Sequence, residues 1–243
     1  MQPGEYVKMA EAESVMWWYR ALHANLIWLI RRYAPGDGGL LDAGCGTGGL
    51  LAKLRTCFPG RLNVGVEFSP SAAEMAADKN AGMVAVGDVN NLPFAKSRFG
   101  AVVSADVLCH RRVQPVAALR EAHRCLVGGG VCIVNVPAYE WLRSYHDVAV
   151  ETARRFDREE LRALLADAGF SVVYCGYWNT LLFPLMVLRR KCLPAPGSGS
   201  DVAGKAGFAN GLFWAMMRLE HACMRHGLIF PFGGSCIAVG MKT

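Results

Sequence analysis

Apolar residues recur along the chain in two alternating rhythms. Between residues 12 and 33 there is no proline or glycine, and Trp18, Leu22, Leu26, Leu29 and Tyr33 return every three or four positions. That spacing predicts one long helix with an aromatic-rich start, stopped by Pro35 and the run Gly36-Asp37-Gly38-Gly39. The apolar run LLDAG then reads as a strand ending at Asp42. A glycine loop leads into a helix-compatible stretch to about Phe58, and LNVGVEF reads as a second strand. A capping serine before a first-turn proline, Ser69-Pro70, opens a helix to about Asn80, and MVAVGD follows as a third strand.

The second half repeats the pattern. FGAVVSAD is a strand, QPVAALREAHRCL a helix ended by Gly128 to Gly130, and VCIVNVP a strand; a helix from Asp157 to Gly169 and the strand FSVVYCGY follow. Such alternation predicts an open parallel α/β sheet with helices on both faces and a ligand crevice beyond the carboxyl ends of its strands. Residues 1–36 and 178–233 stand outside it. The latter holds two apolar helix-like stretches around APGSGSDVAGKAG, before a last strand SCIAVGMK. The expected organisation is a single domain. Residues 1–36 form an N-terminal helical cap, 37–177 the ligand-binding core, 178–233 a cap insertion and 234–243 the final strand, which the long return lets enter the sheet antiparallel.

Composition narrows the classes. The 243 residues are 53% hydrophobic and 19% charged, which excludes extended disorder. No apolar run reaches the roughly 18 to 20 residues of a membrane span, and the N-terminus lacks a basic segment leading into an apolar one, so the cytoplasm is the expected compartment. Nine scattered cysteines give no zinc or iron-sulfur spacing and read as core residues; no metal site is expected. The net charge of +6 falls in doublets such as Arg31-Arg32, Arg111-Arg112, Arg154-Arg155 and Arg189-Arg190. These suggest solvated faces rather than a stripe for nucleic acid.

The chemistry concentrates in LLDAGCGTGG. Gly44, Gly46 and Gly48 let the backbone turn sharply and approach a ligand. With Gly49 the loop also satisfies G-x-G-x-x-G formally, leaving nicotinamide dinucleotides and S-adenosylmethionine both open. Charge separates them: a pyrophosphate disfavours a nearby carboxylate, whereas an ammonium and a sulfonium favour Asp42. Glu67, 25 residues after Asp42, ends the second strand where a carboxylate can accept from both ribose hydroxyls. Asp88, after the third, can meet an adenine amino group, with NNLPF as an apolar wall. Each acid alone could be a capping or turn residue. Together, beside a glycine loop, they suit a ribonucleoside cation.

LLDAGCGTGGLLAKL, VGVEFSPSAAEMA, GDVNNLPF and FGAVVSADVLCH resemble the successive motifs of class I S-adenosylmethionine-dependent methyltransferases, type 11 small-molecule group, from Gly38 to Val136. The flanks SVMWWYRALHANL, HDVAVETARRFDREELRALLADAGF and YWNTLLFPLMVLRRK are similar, more loosely, to a bacterial subgroup. The resemblance implies a Rossmann-like seven-stranded, mostly parallel sheet, last strand antiparallel, with helices on both faces and a helical cap. It also implies S-adenosylmethionine as donor and S-adenosylhomocysteine as product. The positions of Gly44, Cys45, Gly46 and Gly48 would line the methionine part. Glu67, followed by Phe68, would bind ribose, Asp88 and Val89 would contact adenine, and Ala105 would also belong to the donor site. Phe68 departs from the smaller or aspartate residue common there.

Methyl transfer needs an aligned attacking atom and little else, so the acceptor is set by the cap. His110 and His146 are candidate bases if a proton must leave; in the plainer reading His110 packs beneath the donor and His146 caps a loop. Trp18, Tyr19, Tyr139 and Trp178, with Trp17 and Trp141, could form an aromatic box or simply pack cap on sheet. Arg20, Arg154 and Arg155 could hold an acceptor anion. The N/D-P-P-Y/F run of DNA amine enzymes is replaced by Ala105-Asp106-Val107-Leu108, and no Pro-Cys dipeptide occurs. The expected acceptor is therefore a small, aromatic or lipophilic molecule methylated on O or N, with no nucleic-acid partner. A nicotinamide oxidoreductase, a donor-binding protein without turnover and peripheral membrane contact through LLFPLMVL are the alternatives.

Overall fold

The computed structural model describes residues 3–79, 82–192 and 208–243; the segment APGSGSDVAGKAG lies outside the described residues. Seven strands form one sheet: β1 (Gly39–Ala43), β2 (Asn63–Glu67), β3 (Met83–Val86), β4 (Phe99–Ala105), β5 (Leu126–Pro137), β6 (Phe170–Trp178) and β7 (Ser235–Lys242). Their order is β3-β2-β1-β4-β5-β7-β6, and β7 runs antiparallel to both β5 and β6 while the remaining pairs are parallel. This is the Rossmann-like α/β sheet with an antiparallel last strand that the family resemblance implied; the alternation of elements alone gave only its parallel part.

Strand pleating divides the apolar residues between two cores. Leu41, Val66, Val102 and Val134 point to one face, where they meet Ala118 and Leu119 of α5 (Pro115–Cys125) and Leu161 and Leu165 of α7 (Arg158–Asp167). Leu40, Val103, Ile133 and Val239 point to the other. There they meet Leu22, Leu26 and Leu29 of α2 (Trp17–Tyr33), Leu50 and Leu54 of α3 (Gly49–Cys57), and Met217 and Met224 of α9 (Phe208–Arg225). Helix α4 (Pro70–Asp78) opens as its Ser69-Pro70 start predicts, with the Ser69 hydroxyl accepting from the Ala72 N–H.

Two helix boundaries differ from the sequence expectation, each for a tertiary reason. The long helix from residue 12 is broken: α1 (Pro3–Ala12) ends and α2 begins at Trp17. In the gap Glu13 turns its carboxylate to the glycine loop, accepting from the Gly49 N–H at 3.1 Å and pairing with Lys79. Helix α5 stops at Cys125, and Gly128 to Gly130 lie within β5 instead of ending the helix. The Lys242 ammonium donates to the His123 and Leu126 carbonyls, both at 2.8 Å, satisfying the helix end without a glycine.

Beyond β5 the chain forms a short 3-10 turn (Glu140–Leu142), α6 (Tyr145–Ala149) and α7. After β6 comes α8 (Phe183–Lys191), whose entry is fixed by Glu220 of α9. That buried carboxylate accepts from the backbone N–H groups of Asn179, Thr180 and Leu181.

Candidate functional site

The carboxyl ends of β1, β2 and β4 open into a cleft of about 1430 Å³, closed on its far side by α1, the start of α2, α6 and α8. Asp42, Gly44, Cys45, Gly46, Glu67, Phe68, Asp88, Val89 and Ala105 all stand on its wall. Gly48 does not: with φ of +85° it is the N-cap of α3, packed against Ala76. At Gly46, φ is +54° and a Cβ would come 2.6 Å from the Met9 methyl of α1, so the loop is glycine where another helix presses on it.

The acids differ in their surroundings. Both Glu67 oxygens are engaged: one accepts from the Gly46 N–H at 3.0 Å, the other from the Ser69 N–H at 2.9 Å and the Tyr6 hydroxyl at 3.3 Å. Asp88 accepts from the Asn90 backbone and side-chain amides at 2.9 and 2.8 Å. Asp42 is 2% exposed and its Oδ2 has no hydrogen-bond partner. Burial pushes its carboxyl up to about 7, and the charges of Glu67 and Glu13 push the same way. The wall beside Asp88 is built by Val89, Phe68 and Val113. Leu92 and Phe94 of NNLPF pack into the core, Phe94 edge-on to Phe99. Phe68 is largely exposed, with the Arg112 guanidinium 5.2 Å from its ring centre.

Asp106, unassigned from sequence, is a further acid on the wall. It follows β4 with φ of +56° and is held by a relay. The Trp178 indole N–H donates to Asn135 Oδ1 at 2.7 Å, and Asn135 Nδ2 donates to Asp106 Oδ1 at 2.9 Å. Desolvation raises Asp106 to about 7, against the pull of Asn135 and Arg155. Its signal was present in the sequence as an acid after the fourth strand, continuing the series of Asp42, Glu67 and Asp88. Tyr6, Met9 and Glu13 had no such signal, because they reach the loop from a helix distant in sequence.

The other half of the cleft holds the acceptor candidates. His110 lies on the wall, and burial lowers its pKa, keeping the imidazole neutral. His146 also lines the cleft, from the first turn of α6 rather than from a loop. Trp17, Trp18 and Tyr19 face the cleft from the start of α2. Tyr139 and Trp178 do not line it. Trp178 is fully buried with its ring 6.0 Å from Trp18, and its N–H is spent on Asn135. Tyr139 stacks between Tyr177 and Trp141 at 5.1 and 5.7 Å. The expected aromatic box thus reduces to the α2 residues. Arg20 lies over Trp214. Arg155 is consumed by Asp147, its Nε 2.7 Å from Oδ1; despite burial, which pushes it up, that contact holds the Asp147 carboxyl below the usual range. Among the described residues no His, Cys, Asp and Glu cluster is disposed to hold a metal ion.

The residues present fit a cationic adenosyl ligand. Asp42 is an anion-forming group buried without a partner, and Glu67, Glu13, Asp88 and Asp106 share its cleft with no cation bonded to Asp42. A ligand carrying positive charge supplies the partner that Asp42 lacks.

Comparison with known proteins agrees. Residues 41–134 match the type 11 methyltransferase domain model. Malonyl-[acyl-carrier protein] O-methyltransferase of Herminiimonas arsenicoxydans is 37% identical over 195 residues, 76% of this chain and 74% of that protein. The enzyme of the same name from Dechloromonas aromatica is 40% identical over 92 residues, 38% of this chain, so the match spans only 34% of that relative's length. A Thermotoga maritima structure described as an S-adenosylmethionine-dependent methyltransferase, possible histamine N-methyltransferase, shares the fold. Its TM-score is 0.60 at 22% identity, over 99% of this chain and 95% of that one. The glycine loop, the strand order and the Herminiimonas relative together place this chain in the class I S-adenosylmethionine-dependent methyltransferases, in the type 11 group.

Proposed function

We propose that the protein transfers a methyl group from S-adenosylmethionine to an O or N atom of a small, aromatic or lipophilic acceptor. The observation that carries this reading is the unpaired, buried Asp42 carboxyl, flanked at successive strand ends by Glu67 and Asp88. The donor, when bound, supplies a methyl carried on a sulfonium, whose departure as a neutral thioether needs no acid.

The chain's own residues have four tasks. Asp42 balances positive charge in the donor half, and there its ionised form is favoured. Glu67, already fixed by two backbone N–H groups, has remaining lone pairs for ribose hydroxyls. Asp88, Val89 and Phe68 offer one polar and two apolar contacts for a purine, with Gly44, Cys45, Gly46 and Ala105 completing the donor wall. Trp17, Trp18 and Tyr19 present apolar surface that excludes water and orients a flat acceptor. If the acceptor must lose a proton, the neutral imidazole of His110, the ionised carboxylate of Asp106 or the His146 side chain can take it, all three standing on the wall.

The relatives named as O-methyltransferases support an oxygen acceptor. The acids at the strand ends oppose a pyrophosphate, which weighs against the nicotinamide alternative. The test is incubation with methyl-labelled S-adenosylmethionine and a panel of phenols, amines and carboxylic acids. Label in an O- or N-methyl product is expected. Donor binding with no transfer to any panel member would instead assign a binding protein without turnover.

A further inference from the structure

Two residues on the cleft wall hold a left-handed backbone without being glycine: Asp106 after β4, with φ of +56°, and Asn179 after β6, with φ of +60°. Such strain persists where the surroundings over-determine it. At Asp106 they do. Its N–H donates to the Asn135 carbonyl at 2.8 Å, its carbonyl accepts from the Cys109 thiol at 3.0 Å, and its Oδ1 takes the Asn135 amide that closes the relay to Trp178. Asn135 and Trp178 are fully buried. Among the described residues Asn135 is the only side-chain hydrogen-bond partner of this carboxyl, and it reaches one oxygen. Asn179, the residue after Trp178, is 4% exposed, yet its Oδ1 has no hydrogen-bond partner. Both side chains thus bring hydrogen-bond accepting oxygens to the wall.

Charge locates Asp106 toward the acceptor side. Burial pushes the Tyr19 hydroxyl up, and the charges of Glu13, Asp106 and Glu5 push the same way, so Asp106 acts on the aromatic start of α2. His110 answers to other acids: beyond burial, which lowers it, the charges bearing on it include Glu151 and Glu67, the latter assigned to ribose. His146 comes from α6, not from a strand end. Around Asp106 burial raises the carboxyl to about 7, against Asn135 and Arg155, a value suited to proton abstraction near neutrality. Cations that would welcome an anionic acceptor are engaged within the protein. Arg155 holds Asp147 at 2.7 Å, and Arg143 donates to the Thr152 and Ala153 carbonyls, both at 2.9 Å. An anion brought to Asp106 would meet a like charge in a poorly solvated site.

We propose that Asp106 is the catalytic base of the cleft, and that the acceptor presents to it an uncharged O–H or N–H group rather than a carboxylate or phosphate. This rests on the methyl-transfer reading. The acceptor O–H or N–H bond breaks and its proton passes to an Asp106 carboxylate oxygen. The electron pair left behind forms the bond to the donor's methyl carbon, and the carbon–sulfur pair stays on sulfur, leaving a neutral thioether. Asp106 then returns the proton to water. Asn179 Oδ1 offers a lone pair to a further hydroxyl or N–H of the acceptor.

The test uses the full chain with methyl-labelled S-adenosylmethionine and panels of phenols, anilines and matching benzoic acids. Label is expected in phenols or anilines and absent from benzoates. Asp106→Asn keeps an oxygen that can accept from Asn135. It should lower kcat for a phenol about 100-fold or more, with S-adenosylhomocysteine affinity by calorimetry matching wild type and so reporting intact folding. A nitrophenol already ionised at about pH 8 has no proton to give and should lose less than about tenfold in the same variant. In the S-adenosylhomocysteine complex, phenols should bind at least about tenfold more tightly than their benzoates, and Asp106→Asn should narrow that gap. Methylation of benzoates, equal losses for phenol and nitrophenol, or a benzoate affinity equal to that of phenol overturns the proposal. S-adenosylhomocysteine affinity that falls in Asp106→Asn also overturns it and moves the residue to the donor site. Full turnover in Asp106→Asn with loss in His110→Ala or His146→Ala gives the base to histidine. Wild-type protein that binds S-adenosylhomocysteine but methylates nothing removes the methyl-transfer reading and the base role with it, whereas the binding contrast between phenols and benzoates would survive.

Discussion

Asp42 pays for its position when the cleft is empty. Its carboxyl, raised to about 7 by burial and by Glu67 and Glu13, binds its proton more tightly folded than unfolded, where it titrates near 4. Its contribution to stability is therefore fully present below about pH 4 and is lost as pH rises through about 7. Asp42→Asn should remove that loss. Urea denaturation of the ligand-free protein should find the variant more stable than wild type by a few kcal/mol at about pH 8 and little different at about pH 4. Equal stabilities at both would contradict the burial effect. Donor affinity should move oppositely, since the positive ligand needs the ionised acid: wild type should bind more tightly as pH rises toward about 7, and Asp42→Asn weakly throughout. Glu67→Ala should weaken S-adenosylhomocysteine binding by about 1–3 kcal/mol, as expected for losing charge-assisted hydrogen bonds. Unchanged affinity in calorimetry would remove Glu67 from the donor site. Trp178→Phe deletes the N–H that satisfies Asn135 Oδ1. It should cost about 1–3 kcal/mol in urea denaturation, the penalty of an orphaned buried acceptor.

At the scale of elements, the strands were legible because residues that alternate between two buried faces leave short apolar runs bounded by glycine and proline. SCIAVGMK coincides with β7, and Ser69 and Asp157 cap the helices their neighbours suggested. What was illegible depends on distant partners. The break between α1 and α2 follows from Glu13 reaching Gly49, and the end of α5 from Lys242 reaching back to His123 and Leu126. No local pattern announces either contact. The first has a consequence for ligand exchange. Tyr6, Met9 and Glu13 fix α1 over the glycine loop, so Glu13→Ala should loosen it. Hydrogen exchange of residues 3–12 should accelerate, and S-adenosylhomocysteine should dissociate faster; unchanged exchange there would free α1 of this role. Helix α6 is held differently, by the buried Asp147–Arg155 pair. Arg155→Ala, which strands a buried carboxylate, should cost about 3–5 kcal/mol in urea denaturation. The double replacement Arg155→Met with Asp147→Leu should cost much less; equal losses would show that packing, not charge, dominates.

Over the whole molecule the cleft lining is unevenly charged. Asp42, Glu67, Asp88 and Asp106 gather at its strand ends, and Arg143, Arg155, Arg189 and Arg190 come from the segments flanking α6 and from α8, with Arg111, Arg112, Asp147 and Glu151 also on the lining. Asp42, Glu67 and Asp88 were readable in the sequence because each ends or follows a strand near a glycine, whereas Asp106, which also follows a strand, was not assigned. The acceptor half was not readable: of the four aromatic candidates only Trp18 and Tyr19 reach the wall, since the helix or strand face a ring occupies is decided by packing. The same contrast explains why the donor is more sharply defined than the acceptor. Isothermal titration of the ligand-free protein with S-adenosylhomocysteine and, separately, with NADH probes the strand-end acids directly. One-to-one S-adenosylhomocysteine binding in about the micromolar range, lost in Asp42→Asn and weakened in Glu67→Ala, with no heat from NADH, is the predicted result. Tighter binding of NADH, or S-adenosylhomocysteine affinity indifferent to both substitutions, would contradict it.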